Sequence, residues 1–281
     1  MTAPRASTTA SQRSDLASMA LLVAEEAATL VVAGYRSRPR PDKKGRNDLV
    51  TEFDRASEKL LLARLSALSP QIPIVAEESS AGETHGRPGL VWYVDPLDGT
   101  TNFVHGHPFW CVAVGLAEDE QPVAGAVVAP MLGVRWRGFV TPEAEGRPAP
   151  REGSAFRNGA PCAVSGTSDL DDALVATGFP AVRDRPPHDN FDSFIAVKRA
   201  AQGVRRCGSA AIDLCMVADG TYDGYWERSL HVWDTVAATA IVRGAGGMVT
   251  SLDGGPPDHH AGHVVASNRL VHRALLAAIA R

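Results

Sequence analysis

Two aspartates in one short segment are the residues of this chain best suited to chemistry. Asp95 follows a continuous apolar run at residues 90–94, which is typical of a buried strand, and Asp98 lies just beyond it. Carboxylates this close repel each other unless a cation lies between them. Hard oxygen ligands of this kind suit Mg2+. A turn with two solvated aspartates fits the same residues, so this segment alone leaves both interpretations open.

The residues that follow Asp98 are suited to binding an anion. Gly99 permits a tight backbone, and Thr100 and Thr101 can cap a short helical turn. Backbone amides at the start of such a turn favour a bound anion, for example a phosphate group. One short segment can therefore hold a metal ion and a phosphate together.

Three further acidic residues strengthen the metal interpretation, although each has an ordinary structural explanation. Glu77 follows a short predicted strand at residues 72–76, where a surface turn is the alternative. Asp48 precedes a predicted helix and could serve only as its cap. Asp234 opens another predicted helix, where an acid normally complements the helix dipole. Their combination with the first two aspartates favours a site over five separate surface features.

Four segments together make the chain resemble the inositol monophosphatase family. They begin at Asp48, Ala76, Asp95 and Trp233, and read DLVT, AEES, DPLDGTTNF and WDTVA. Their order and spacing match the family, and the resemblance extends from about residue 15 to the C-terminus. It implies an α/β fold with α+β layering, an alternating αβαβα sandwich like that of the inositol monophosphatases and fructose-1,6-bisphosphatase-like phosphatases.

The resemblance also implies a set of metal ligands. Glu77, Asp95 and the backbone carbonyl of Leu97 would hold one Mg2+. A second Mg2+ would be held by Asp95, Asp98 and Asp234, so that Asp95 bridges the two ions. Glu77 would also touch a weakly held third ion, which gives two or three Mg2+ per site.

Catalytic roles follow from the same resemblance. The phosphate would bind the metals and the amides of Gly99 and Thr100. Thr100, paired with Asp48, would orient and help deprotonate a metal-bound water, and Glu77 would belong to the catalytic set through its metal. The implied reaction agrees with general chemistry, because phosphoryl transfer needs charge neutralisation and positioning more than covalent help. Thr100 as a direct nucleophile is a less favoured alternative.

The second half of the chain is expected to recognise the alcohol. In the family, the segment matching Gly208, Ser209 and Ala210 borders the alcohol, and the residue matching Glu227 hydrogen-bonds inositol hydroxyls. A solvent-facing strand end is the alternative for Glu227. Asp213, one turn into the following predicted helix, could assist Glu227, although a solvated position on the helix is the favoured expectation.

Inositol 1-phosphate, or a similar polyol phosphate, is the substrate that these residues favour. Histidinol phosphate, fructose 1,6-bisphosphate and other sugar phosphates remain alternatives. A catalytically silent binding or regulatory protein on the same scaffold is the non-enzymatic alternative. The resemblance further implies sensitivity to lithium and a homodimer.

Composition excludes some other classes of partner. The net charge of −4 gives no basic surface for nucleic acid. No apolar run approaches the length of a membrane span, and the N-terminus lacks an apolar signal core. The four cysteines form no CxxC pair and are expected to be reduced thiols of a cytoplasmic protein.

Alternating predicted strands and helices favour a layered α/β architecture. We expect a disordered tail at residues 1–13 and a single domain at 14–281, with halves at about 14–160 and 161–281. A helix is predicted from about residue 15 to 35, followed by a basic, proline-broken segment at 36–46 that is typical of an exposed loop. The remaining predicted strands lie at residues 111–116, 123–129, 134–140, 174–177, 204–207, 222–227 and 264–266.

Overall fold

A computed structural model describes residues 7–45, 48–79, 88–140, 154–180 and 189–280. At residues 44, 45 and 48 it describes the backbone only. Residues 141–153 and the first six residues of the predicted tail lie outside the described residues.

The first half of the chain builds one large sheet with two long helices on one face. The seven-stranded sheet has the order β3-β4-β5-β6-β7-β8-β9, and only the β3–β4 pair among these neighbours is parallel. A separate two-stranded sheet pairs β1 with β2. In chain order the elements are α1 (Ala10–Val32), β1 (Asp42–Gly45), β2 (Asp48–Val50), α2 (Glu52–Leu68), β3 (Ile74–Ala76), β4 (Leu90–Asp98), α3 (Thr100–Val104), β5 (Cys111–Glu118), β6 (Gln121–Ala129), β7 (Val134–Phe139), β8 (Ala155–Arg157) and β9 (Ala160–Pro161).

The second half builds a five-stranded sheet of order β11-β10-β12-β14-β13. Parallel pairs join β10 to β11 and β12, and antiparallel pairs join β14 to β12 and β13. The elements are β10 (Leu174–Thr177), α4 (Phe191–Ala200), β11 (Gly203–Arg205), α5 (Ala210–Ala218), β12 (Gly224–Glu227), α6 (Val232–Gly244), β13 (Met248–Thr250), β14 (Val264–Ser267) and α7 (His272–Ile279).

The predicted five-layer sandwich is confirmed by the way the cores divide. Alternate residues of β5 and β6 point to opposite faces, as the two-residue repeat of a strand requires. Val112 and Val128 pack with α1 and α2, whereas Ala113 and Val127 pack with α5 and α6. The second sheet covers the other side of α5 and α6, and α4 and α7 cover its outer face.

Helix α6 packs very close to the large sheet. A side chain at Gly125 would lie 2.5 Å from the carbonyl oxygen of Ala237, so only glycine permits this packing. A side chain at Gly138 would likewise lie 2.9 Å from the Cα atom of Ile241. The helix therefore lies directly on the strands, and its first turn reaches the end of β4.

Two predictions about the N-terminal part are wrong. Residues 10–13 belong to α1, and Thr9 caps it, so the predicted tail does not extend through residue 13. Arg13 is fully buried and donates to Val140 O at 2.9 Å and to Glu118 at 2.8 Å. Residues 42–45, placed in the exposed basic loop, instead form β1 and pair with β2. No described helix meets the length and apolarity that a membrane crossing requires.

Candidate active site

The segment from Asp95 to Thr100 bends sharply where β4 meets α3. Asp95 pairs with Ala113 of β5, and Asp98 pairs with Cys111. Three residue steps on β4 therefore face only two on β5, and β4 bulges between the two aspartates. Gly99 follows with φ of 93°, in the left-handed region that favours glycine. Thr100 then begins α3. The bulge and the turn bring both aspartates and the first amides of α3 to one edge of the sheet.

Four acidic side chains meet at this edge, and we call them the acid cluster: Glu77, Asp95, Asp98 and Asp234. Glu77 directly follows β3, the parallel neighbour of β4, and Asp234 lies in the first turn of α6. Burial raises the pKa of Asp95 well above its usual range, and the charges of Glu77, Asp98 and Asp234 raise it further. The pKa of Asp234 is also raised well above its usual range, by burial and then by Asp98 and Glu77. The four acids predicted as metal ligands therefore lie within electrostatic reach of one another.

Hydrogen bonds anchor one oxygen of each aspartate in the acid cluster. The Leu97 amide donates to Asp95 Oδ1 at 2.9 Å, and the His231 amide donates to Asp234 Oδ2 at 2.7 Å. Asp98 Oδ2 accepts from the Ala211 amide at 2.8 Å. These bonds fix the orientation of three carboxylates and fall on a single oxygen of each. The second oxygens are thus the candidate metal donors.

The donor chemistry of the acid cluster fits Mg2+, which prefers carboxylate oxygen. Among the described residues, however, no three acidic, histidine or cysteine side chains converge closely enough to enclose a metal ion. Like charges at this spacing repel one another, as the raised pKa values of Asp95 and Asp234 show. A complete shell of ligands would require the carboxylates to move closer together.

The Thr100 hydroxyl lies between two acceptors. Its Oγ1 is 3.0 Å from Asp54 Oδ1 and 3.1 Å from the carbonyl oxygen of Leu97. Asp54 is fully buried, and burial raises its pKa although hydrogen bonds from Thr51 and Thr100 oppose the rise. The predicted partner Asp48 lies in β2, and its side chain is outside the described part of the structure. The Asp48–Thr100 pair therefore stays a prediction.

Sequence reasoning missed Asp54 as a site residue. Thr51 and Asp54 form a capping box at the start of α2, a pattern that explains an acid at this position without any site. One carboxylate oxygen serves the cap and the other faces Thr100, and only the folded chain shows this second contact.

The segment at Gly208, Ser209 and Ala210 connects the acid cluster to the second half of the chain. The Ser209 hydroxyl donates to Asp98 Oδ2 at 2.7 Å. Ser209 also caps α5, accepting from the Ile212 amide at 3.3 Å. This residue was predicted to border the alcohol, but its hydroxyl is engaged on a predicted metal ligand. The side-chain amide of Asn102 donates to Gly208 O at 3.3 Å and ties the segment to α3.

Glu227 ends β12 as a buried acid. Only 9% of its surface is exposed, so the solvent-facing alternative is wrong. The Tyr225 hydroxyl donates to its Oε2. Burial raises the pKa of Glu227 to about 7, although the Tyr225 hydrogen bond and the charge of Arg206 oppose the rise. Gly178 lies against this carboxylate, and a methyl group there would overlap both of its oxygens.

Asp213 is buried as well, contrary to the expectation that it is solvated. It is 1% exposed, and among the described residues its Oδ1 has no hydrogen-bond partner. Burial raises its pKa well above the usual range, and the charges of Glu227 and Asp98 add to the rise. We call Asp213 and Glu227 the acid pair. Only a three-dimensional arrangement could show that a residue one turn into α5 is enclosed in this way.

A layered fold with carboxylates gathered at a strand end beside a glycine turn fits a phosphoric monoester hydrolase, and the comparisons with known proteins place the chain in that class. The sequence pattern of the inositol monophosphatase family matches residues 9–281. The chain belongs to that family, which is metal-dependent and generally uses Mg2+.

Individual relatives match most of the chain. Inositol-1-monophosphatase of Synechocystis sp. is 41% identical over 239 residues, which cover 85% of this chain and 79% of the relative. Nus factor SuhB of Pseudomonas aeruginosa is 36% identical and covers 93% and 94% of the two chains. The solved inositol monophosphatase of Anabaena sp. superposes with a TM-score of 0.81 at 34% identity, covering 95% of this chain and 96% of that one.

Proposed function

We propose that this protein hydrolyses a small polyol monophosphate, with inositol 1-phosphate as the favoured substrate, to the free polyol and phosphate. The observation that carries the proposal is that the buried Glu227 lies within electrostatic reach of Asp98 in the acid cluster. The cluster serves any phosphate ester, whereas a carboxylate near the cluster suits an alcohol with several hydroxyls. Relatives named inositol-1-monophosphatase support the same substrate.

Each group has one role in the proposed reaction. Glu77, Asp95, Asp98, Asp234 and the Leu97 carbonyl would hold two Mg2+, and Glu77 would also lie near a third ion. Mg2+ held there would supply charge neutralisation for the phosphate and a lowered pKa for water.

The protein's own groups orient the reactants. The amides of Gly99 and Thr100 bind the phosphate at the start of α3, and the Thr100 hydroxyl, with Asp48 as its predicted partner, orients the attacking water. Glu227 accepts hydrogen bonds from the hydroxyls of the alcohol, beside the segment at Gly208 and Ala210. Because these contacts hold the substrate on both sides of the scissile bond, they fix the attack geometry.

A substrate panel tests the proposal. Purified protein is assayed for phosphate release from inositol 1-phosphate, histidinol phosphate and fructose 1,6-bisphosphate, with Mg2+ and with a chelator. We expect Mg2+-dependent release that is fastest with inositol 1-phosphate. Release from histidinol phosphate but not from inositol phosphates would overturn the substrate assignment and leave the phosphatase chemistry intact.

Histidinol phosphate has one specific observation in its favour. Asp213 and Glu227 place two buried acids beside each other, and a cationic alcohol would suit two negative charges. The relatives named inositol-1-monophosphatase favour a polyol instead. The inositol substrate therefore remains the first choice.

The remaining properties that we propose are a homodimer, a cytoplasmic location and inhibition by lithium. Light scattering of the purified protein tests the first, and a lithium titration of phosphate release tests the last. If no phosphomonoester in a broad panel is hydrolysed, a binding or regulatory role replaces the enzymatic one.

A further inference from the structure

We propose that Asp54 is a positioning residue for Thr100, which holds the hydroxyl hydrogen so that the Thr100 lone pairs face the phosphate site. The inference rests on the proposed function, since it assigns Thr100 a task in orienting water. Its basis is the 3.0 Å contact between Thr100 Oγ1 and Asp54 Oδ1. This contact joins the start of α3 to the first turn of α2.

A threonine hydroxyl has one hydrogen, and Thr100 has two acceptors for it in the described part of the structure. A carboxylate accepts a stronger hydrogen bond than a neutral carbonyl does. The competing acceptor, Leu97 O at 3.1 Å, is also a proposed metal donor, and a carbonyl engaged by a cation is a poorer acceptor. The hydrogen therefore goes to Asp54, and the Thr100 oxygen keeps its lone pairs to accept a hydrogen from water.

Asp54 is held firmly enough to set this direction. It is 0% exposed, and its other oxygen accepts from the Thr51 amide at 2.8 Å and from the Thr51 hydroxyl. The Thr51 hydroxyl in turn accepts from the Phe53 amide at 3.1 Å. Two groups of Thr51 thus fix the carboxylate directly, and the Phe53 amide holds one of them, so the carboxylate cannot rotate freely.

A second contact keeps α2 aligned with the segment that carries Thr100. The buried Ser57 hydroxyl, one turn after Asp54, donates to Pro96 O at 2.8 Å. The helix is therefore attached to residues on both sides of Leu97, and the Asp54–Thr100 distance is set by two independent hydrogen bonds.

A double-mutant cycle tests whether Asp54 acts through Thr100. We measure kcat and KM for Asp54→Asn, Thr100→Ala and the double variant. Asn can turn its NH2 group toward Thr100 and reverse the hydrogen bond, so we expect kcat to fall about 10²-fold with KM changed less than about 3-fold. The double variant should be no slower than Thr100→Ala, because a residue that acts only through Thr100 has no effect once that hydroxyl is gone.

Stability measurements separate positioning from helix capping. Thr51→Val removes the capping hydroxyl, which is one of the groups that hold Asp54, and keeps the Thr51 amide and the Asp54–Thr100 contact. We therefore expect a lower Tm with a smaller fall in kcat than Asp54→Asn causes. Asp54→Glu keeps an acid that can complete the capping box but displaces the carboxylate and crowds a buried site, so kcat should fall together with Tm. The exposed Glu52, in the same turn of α2, supplies the control Glu52→Gln, which should change neither.

Two results would overturn the assignment. The first is an Asp54→Asn enzyme with wild-type kcat, and the second is a double variant whose loss equals the product of the single losses. The same cycle is measured with Asp48→Asn in place of Asp54→Asn. If the losses from Asp48→Asn and Thr100→Ala are not additive, Asp48 is the partner of Thr100 instead. Failure of the proposed function itself is distinguishable, because wild-type protein would then release no phosphate with Mg2+.

Discussion

The acid cluster and the acid pair are both groups of buried carboxylates, but the protein holds them differently. In the cluster, backbone amides of Leu97, Ala211 and His231 orient the three aspartates. In the pair, Glu227 is held by a tyrosine hydroxyl, and Asp213 Oδ1 has no partner among the described residues. Backbone amides orient the cluster oxygens for a cation. A side-chain hydroxyl and the charge of Arg206 support Glu227 instead, which suits the pair to recognise an alcohol.

The largest expected effect comes from the cluster. Asp95→Asn should lower kcat/KM by about 10³-fold or more, because both proposed metal sites share this carboxylate. The Tm of the metal-free protein should stay the same or rise, since the change removes one of four mutually repelling charges. Phosphate release and thermal unfolding, with the exposed Asp171→Asn as control, measure the two effects. An active variant, or one that does not fold, would show that Asp95 has another role.

A smaller effect is expected at the acid pair. Gly178→Ala adds a methyl group where the Glu227 oxygens lie, so the carboxylate must move and the alcohol contacts weaken. We expect KM for inositol 1-phosphate to rise about 10-fold, and kcat for p-nitrophenyl phosphate, which has no polyol, to stay unchanged.

The matched control for that experiment is Gly166→Ala. A side chain at Gly166 meets nothing within 4 Å, so the same chemical change is made without displacing a carboxylate. Equal losses for both substrates at Gly178 would mean that the two acidic groups are not separate in function.

The smallest effect is a pH-dependent stabilisation by metal. Folding raises the pKa of Asp95 and Asp234, so the metal-free protein loses stability as pH rises from about 4 through the raised folded-state pKa values. Mg2+ binds the ionised carboxylates and offsets this loss. At ten to one hundred times its Kd, Mg2+ should stabilise the protein by about 1–3 kcal/mol at pH 8 and by less at pH 5. Thermal unfolding at both pH values measures it, and a larger Tm increase at pH 5 would contradict the assignment.

How far the sequence predicts the site depends on where its residues lie along the chain. Asp95, Asp98 and Gly99 are neighbours, so their geometry follows from a strand that ends in a bulge and a glycine turn. The approach of Asp54 to Thr100 needs α2 to be placed beside β4, and no local pattern contains that contact. The enclosure of Asp213 depends in the same way on packing between α5 and the second sheet.

The fold shows the same division. Long apolar runs predicted β4, β5 and β6, and their placement in one sheet agrees with the layered architecture expected from the resemblance. The wrong prediction at residues 10–13 has a physical cause, because polar contacts hold the start of α1 in place. Arg13 is buried on Glu118 and Val140 O, and such pairs between distant residues leave no periodic signal in the sequence.

The central claim is that the acid cluster acts on the phosphate while Glu227 selects the alcohol. Measuring kcat/KM for inositol 1-phosphate and for p-nitrophenyl phosphate in wild type and Glu227→Gln tests it most directly. We predict a loss of about 10- to 100-fold with inositol 1-phosphate and a change of less than about 2-fold with p-nitrophenyl phosphate, since only the first substrate loses a hydrogen bond to the carboxylate. Equal losses with both substrates, or no loss with inositol 1-phosphate, would contradict it.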